Sequence, residues 1–127
     1  MDLERRRSIR IPIRLTTVFK NLTSGKVQRT LSKDIGDEGM CLITEGTVEP
    51  GTKLEVEIKL PDGRSPIVAL SEVVWSKPVG ERTKSYEVPM TETGIKFMRI
   101  DQKDLALIMQ YARLNALPPE LGGPLEV

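Results

Sequence analysis

The stretch KLEVEIKLPDGR, residues 53–64, decides the fold class because its apolar and charged residues alternate. Leu54, Val56 and Ile58 fall on one side of an extended chain, and Glu55 and Glu57 fall on the other side. The Pro-Asp-Gly-Arg sequence that follows favours a turn. These residues therefore predict a strand with one buried face that leads into a β-hairpin.

The same alternation recurs on both sides of this hairpin. Further strands are predicted at residues 9–19, 27–31, 40–43, 67–75 and 93–98. From Asp101 onward the apolar spacing becomes helical, which predicts one C-terminal helix over residues 102–117 with Asp101 as its N-cap. Six or seven short strands joined by close turns, followed by one helix, predict an all-β domain built as a small antiparallel barrel.

The composition excludes several classes of protein. The chain has 127 residues, 39% of them hydrophobic, which is enough for one domain with a core. It has no histidine and one cysteine, Cys41, which excludes internal disulfides, His/Cys zinc sites and nucleophiles activated by histidine. A formal net charge of +1 predicts neither nucleic-acid nor membrane binding. Because no apolar run could span a bilayer and the first residues lack a secretory signal, we expect a cytoplasmic protein.

Arginines are concentrated at the start of the chain. The first 14 residues contain Arg5, Arg6, Arg7, Arg10 and Arg14 and have a local charge of +3. A guanidinium group binds phosphate and the O6/N7 edge of guanine through paired hydrogen bonds. We interpret residues 1–14 as a flexible arm that leads into the first strand and suits a phosphorylated, purine-bearing ligand. A solvated tail is the alternative interpretation.

The segment DIGDEG, residues 34–39, is the second candidate site segment. We predict a turn here, which would present the carboxylate of Asp34 to the N1 and N2 atoms of guanine; an ordinary Asp/Gly turn is the alternative. The spacing also matches part of a calcium-binding loop. That interpretation fails because Gly36 offers no side-chain ligand at the third loop position and because the flanking residues are predicted strands. We therefore expect no metal site.

In their order and spacing, these two segments resemble the signature of the PilZ family of bacterial cyclic di-GMP receptors, RxxxR followed by (D/N)xSxxG. The first motif lies at Arg6–Arg10, and the second lies at Asp34–Gly39. Trp75 and the sequence Gly94-Ile-Lys-Phe97 resemble the strand-ending tryptophan and the late G-[IV]-x-F strand of that family. The resemblance covers roughly residues 4–112.

The resemblance implies a six-stranded antiparallel barrel with a C-terminal helix, and barrel and helix together would span residues 9–117. Residues 118–127 show no hydrophobic period, so we predict an irregular tail there. It implies a receptor that binds cyclic di-GMP without altering it, with no enzymatic activity and no cofactor. The bound receptor would pass a conformational change to a protein partner of motility, pilus or envelope machinery. The alternative is a PilZ-type interaction module that does not bind the nucleotide.

The ligand-site residues implied by the resemblance are Arg5, Arg6, Arg10, Asp34, Gly36 and Gly39. The arginines would hold phosphate and guanine, Asp34 would hold a guanine edge, and Gly39 would allow close approach of the backbone. Gly36 stands where the family has serine. One missing hydrogen bond costs about 0.5 to 3 kcal/mol, which is between a few-fold and about a hundredfold in affinity. We therefore expect Gly36→Ser to tighten ligand binding.

Large apolar side chains beside these motifs are interpreted as core. Trp75 ends an apolar strand, and Met90, Met98 and Met109 lie in apolar segments, so we predict that these four residues are buried. Cys41 lies between Met40 and Leu42, and we predict that it is a small buried residue and not a reactive thiol.

Overall fold

The structure is a computed structural model that describes residues 9–79 and 89–118. Within these ranges the chain forms seven strands and one helix. The elements are β1 (Ile11–Pro12), β2 (Thr16–Asn21), β3 (Val27–Ile35), β4 (Gly39–Glu45), β5 (Lys53–Lys59), β6 (Ile67–Pro78), β7 (Met90–Arg99) and α1 (Gln102–Leu114).

The strands form one closed antiparallel barrel. Their order is β1-β3-β2-β5-β6-β7-β4, and β4 pairs in turn with β3. β1 and β2 follow one another along β3, so they act as a single interrupted strand of the barrel. The predicted six-stranded antiparallel barrel with a C-terminal helix is therefore confirmed.

The interruption between β1 and β2 lies inside the strand predicted at residues 9–19. At this point the side chain of Ser32 replaces part of the backbone ladder. Its Oγ donates a hydrogen bond to the Ile13 carbonyl at 2.5 Å and accepts one from the Leu15 amide at 2.9 Å. Because these buried backbone groups are satisfied, the barrel stays closed across the break.

The core follows the predicted alternation most closely in β5. Leu54, Val56 and Ile58 are fully buried, whereas Glu55 is exposed and Glu57 is partly exposed. From α1, Ile108 and Met109 join the same hydrophobic core. Burial of this apolar surface is the main favourable contribution to folding.

The helix begins as predicted but ends earlier. The carboxylate of Asp101 accepts hydrogen bonds from the amides of Lys103 and Asp104, so the predicted N-cap is confirmed. The helix ends at Leu114, three residues before the predicted position 117. The reason is that Asn115 caps the last turn, donating from both its backbone amide and its side chain to the Tyr111 carbonyl.

Several predicted side-chain positions need correction. Trp75, Met90 and Met98 were predicted to be buried, but they are 41%, 40% and 46% exposed. Met109 and Cys41 are buried, as predicted. Pairing of β1 with β3 places the last residues of the predicted arm, from Ile11 onward, in the barrel. Residues 1–8 and 119–127, which include most of the predicted arm and nearly all of the predicted tail, lie outside the described residues.

Candidate functional site

A shallow basin of about 420 Å³ lies on the outer face of β3, β4, β6 and β7. Strand pairing places Asp34 opposite Cys41, Cys41 opposite Gly94, and Gly94 opposite Trp75. These four residues therefore form one continuous row across four strands. The basin is bordered by charged side chains: Arg10, Lys33, Glu38, Glu92 and Lys96.

The centre of the basin is recessed because the residues there have small side chains or none. A Cβ atom on Gly94 would collide with the indole ring of Trp75, so the ring lies directly over this glycine. A Cβ atom on Gly39 would collide with the carbonyl oxygen of Ile95, so Gly39 permits the close approach of β4 to β7. Gly39 also lines the basin, as its assignment to the ligand site requires.

Asp34 reaches the basin because β3 has an irregular register. Ser32 pairs with Leu42, but Asp34 pairs with Cys41, so Lys33 is an extra residue in the ladder. Without this bulge, Asp34 would share the inward face of Ser32. The predicted turn from residue 34 also needs correction, because β3 continues through Ile35 and its backbone pairing fixes the position of Asp34.

Trp75 reaches the basin in the same way. On β6, Val73 pairs with Ile95 and Trp75 pairs with Gly94, so Val74 is an extra residue. Ile67, Ala69 and Val73 point into the core. Strict alternation would have buried Trp75 as well, and the bulge turns it outward instead. This shift explains why the predicted core position of Trp75 is wrong.

The carboxylate of Asp34 has an unusual environment. Its Oδ1 atom is shielded from solvent and lies 3.1 Å from Nη2 of Arg10. Among the residues that the structure describes, however, no donor makes a hydrogen bond to this oxygen. The contact is therefore ionic without an aligned N–H group. This oxygen therefore keeps the capacity to accept an aligned hydrogen bond, which an N–H group of a ligand could supply.

A second ion pair borders the basin. Nζ of Lys33 donates to Oε2 of Glu92 at 2.7 Å, and both side chains are mostly buried. The hydrogen bond with Glu92 raises the pKa of Lys33 above its usual value of 10.5, against the opposing effect of burial. Lys33 is therefore a fixed cation beside Asp34 at neutral pH.

Cys41 lies beneath these charged groups and is not reactive. Burial raises the pKa of its thiol to about 11, and the negative charge of Asp34 adds to the shift. Because the thiolate is the reactive form, a thiol with this pKa is inert at neutral pH. The predicted role of Cys41 as a small packing residue is therefore confirmed.

Four of the six predicted site residues lie within the described ranges, and the structure brings them together. Arg10, Asp34 and Gly39 line the basin, and Gly36 lies against Arg10. Arg5 and Arg6 lie outside the described residues.

The basin residues that sequence reasoning did not assign to the site include Trp75, Lys33, Glu92 and Lys96. For Trp75, the resemblance to the strand-ending Trp of PilZ proteins was a signal that could have indicated a role in the site. The three charged residues had no local signal, because their strands meet only in the closed barrel.

A family model for the PilZ domain matches residues 4–114, so the chain belongs to the PilZ family. Solved structures agree on the fold. The PilZ domain of Escherichia coli YcgR, solved with c-di-GMP, has a TM-score of 0.67 at 13% identity, and the match covers 87% of this chain and 90% of that domain. No curated protein sequence matches the chain.

Two longer proteins contain a similar fold. The Bacillus subtilis inhibitor of motility MotI has a TM-score of 0.66 at 19% identity, with 86% of this chain and 50% of MotI covered. MrkH, described as a c-di-GMP-dependent transcription regulatory factor, has a TM-score of 0.66 at 18% identity, with 87% of this chain and 52% of MrkH covered. The chain thus spans about half the length of each of these two proteins.

The described residues contain no helix with the length and apolar character needed to cross a bilayer. They also contain no group of three His, Cys, Asp or Glu side chains arranged to hold a metal ion.

Proposed function

We propose that this chain is a receptor that binds cyclic di-GMP in the basin between Arg10, Asp34 and Trp75. The observation that carries this proposal is the shielded Oδ1 atom of Asp34, which has a cation beside it but no hydrogen-bond donor. Guanine offers two adjacent donors, N1–H and N2–H, which a carboxylate can accept together. Membership of the PilZ family and the c-di-GMP in the YcgR structure support the same ligand.

The rest of the basin matches the other parts of this ligand. The exposed ring of Trp75 offers a surface on which a purine can stack, which is worth about 1–3 kcal/mol per base. Arg10 and Lys96 border the same basin and supply positive charge for the two phosphates. We propose that Arg5 and Arg6, from the RxxxR motif, add further phosphate and guanine contacts.

Binding of this kind can act as a signal because Arg10 lies in the segment that precedes β1. A ligand that contacts both the N-terminal segment and the barrel favours the arrangement in which the two are held together. We propose that this change is passed to a protein partner of motility, pilus or envelope machinery in the cytoplasm. The ligand is not altered, so the chain acts as a receptor and not as an enzyme.

Calorimetric titration of the whole chain with cyclic di-GMP tests the proposal. We expect saturable binding that is weakened in both Arg6→Ala and Arg10→Ala. Cyclic di-AMP is the matched control ligand, because it keeps the phosphates but presents the N1 acceptor of adenine to the Asp34 carboxylate. It should bind at least about a hundredfold more weakly, because a buried acceptor would then face another acceptor. Absence of binding to cyclic di-GMP, or equal binding of the two ligands, would contradict the proposal.

A further inference from the structure

Gly36 lies directly beneath the start of the described chain. A Cβ atom built on Gly36 would lie 3.0 Å from the carbonyl oxygen of Ile9 and 3.3 Å from Cδ of Arg10. The first distance is tighter than an ordinary van der Waals contact, and the atom involved belongs to the backbone. A Cβ atom at position 36 therefore requires residues 9 and 10 to shift by a few tenths of an ångström, which loosens their contact with the barrel.

The backbone conformation does not explain why position 36 is glycine. The described glycines with a positive φ angle are Gly25, Gly46, Gly51 and Gly63, and Gly36 is not among them. Its conformation is therefore open to other residues. The feature that depends on glycine at this position is the space occupied by Ile9 and Arg10.

The guanidinium of the same Arg10 side chain contacts Asp34. With its aliphatic part against Gly36, Arg10 reaches Asp34 at 3.1 Å. Asp34 is the group that the proposed function assigns to guanine, so Arg10 and guanine are alternatives for one carboxylate. The Arg10 contact lacks an aligned hydrogen bond, and the two side chains are 38% and 24% exposed. It is therefore a weak competitor that guanine can displace.

We propose that Gly36 is a docking position for residues 9 and 10 that holds Arg10 against Asp34 in the ligand-free protein and thereby lowers the affinity for cyclic di-GMP. This inference rests on the proposed function for its effect on affinity. The docking itself is a property of the ligand-free chain and can be measured without any ligand.

Two substitutions at position 36 separate the effect of docking on affinity from the effect of the missing hydroxyl group. Gly36→Ala adds only the Cβ atom, and Gly36→Ser adds the Cβ atom and a hydroxyl. If docking lowers affinity, both variants bind cyclic di-GMP more tightly, by about two- to fivefold for Ala, as expected for loss of a partly exposed ion pair. Gly36→Ser should bind at least as tightly as Gly36→Ala. Tightening in Ser but not in Ala would overturn the proposal and leave the hydroxyl as the explanation.

Hydrogen exchange in the ligand-free protein tests the docking directly. The Ile13 amide donates to the Lys33 carbonyl at 3.2 Å, next to the docked residues. We expect faster exchange at Ile11 and Ile13 in both Gly36 variants, with unchanged exchange in β5. Gly25→Ala is the control, because it strains a positive φ angle of 81° in a turn with open space around it. Unchanged exchange at Ile11 and Ile13 in the Gly36 variants would overturn the docking.

Asp34→Asn provides a second route if a Gly36 variant fails to fold. It removes the charge that holds Arg10 but leaves Gly36 untouched, so exchange at Ile11 and Ile13 should again increase. Exchange equal to that of the natural chain would contradict the proposal.

If the natural chain shows no binding to cyclic di-GMP, the proposed function and the affinity effect both fail, and the exchange results still decide whether residues 9 and 10 dock on Gly36. If it binds but Gly36→Ala leaves the affinity unchanged, only the further inference fails.

Discussion

β5 and the two bulged strands β3 and β6 use the same alternating pattern for different purposes. In β5 each apolar residue points into the core, and no extra residue interrupts its pairing with β2 or β6. In β3 and β6 one extra residue shifts the pattern at Lys33 and at Val74. The regular strand supplies stability, whereas each shift turns one large or charged side chain out to the basin. A bulge therefore converts a core strand into a strand that also places a side chain in the basin.

The largest expected effect comes from the regular strand. Ile58 is fully buried, and Ile58→Ala should lower the free energy of unfolding by about 2–5 kcal/mol through lost burial and a cavity. The affinity of the remaining folded protein for cyclic di-GMP should not change, because Ile58 faces away from the basin. Chemical denaturation and calorimetric titration measure the two quantities. Glu57→Ala, on the other face of β5, is the control and should change stability by at most about 0.5 kcal/mol. A tenfold loss of affinity in folded Ile58→Ala would show that the core strand β5 and the basin do not act independently.

The second-largest effect is expected at the bulge of β3, where ligand affinity and not folding stability should change. Asp34→Ala should weaken cyclic di-GMP binding by about ten- to a hundredfold, the value of a charge-assisted hydrogen bond. Folding stability should change by at most about 1 kcal/mol, because the ion pair that the removed carboxylate makes with Arg10 is partly exposed. Asp62→Ala, in the turn after β5, is the control of the same residue type and should bind normally. Binding by Asp34→Ala at the affinity of the natural chain would remove Asp34 from the site.

The third effect lies at the bulge of β6. Trp75→Ala should weaken binding by about five- to thirtyfold, at the lower end of base stacking on an aromatic ring because Trp75 is partly exposed. Trp75 is the single tryptophan of the chain, so its fluorescence reports directly on ligand binding in the natural protein. Val68→Ala, an exposed apolar residue on the same strand, is the control. If the ligand bound without any change in Trp75 fluorescence, the stacking role would be contradicted.

The contrast between the regular strand β5 and the bulged strands β3 and β6 also explains how much of the structure the sequence could predict. The alternation in β5, the helical spacing after Asp101 and its N-cap follow local rules, and these predictions hold. The number of barrel strands and the grouping of Arg10 with Asp34 came from the resemblance to a family. The outward positions of Trp75 and of Asp34 could not be predicted from alternation, because a single extra residue reverses the face of every residue after it.

The charged border of the basin could not be predicted for another reason. Lys33 and Glu92 are separated by 59 residues, and only closure of the barrel through the β4–β7 and β3–β4 pairs brings them together. Neither residue lies in a local motif that indicates its partner. Pairs of this kind depend on the order of the strands in the barrel. A sequence pattern can therefore predict them only once that order is known.

The smallest expected effect concerns this Lys33–Glu92 pair and its dependence on pH. Because the folded-state pKa of Lys33 is raised above 10.5, the pair stabilises the folded protein fully below that value. The contribution is then lost as the pH rises through the higher folded-state pKa. Lys33→Gln should therefore lower stability by about 1 kcal/mol or less at pH 7 to 9, and the difference from the natural chain should shrink as the pH rises above 10.5. Lys53→Gln is the control, because its ion pair with Glu72 is longer, at 3.8 Å, and more exposed. Thermal melts of the three proteins across this range provide the measurement. A stability difference for Lys33→Gln that stayed constant as the pH rose above 10.5 would mean that packing of the Lys33 side chain, and not its charge, supports this side of the basin.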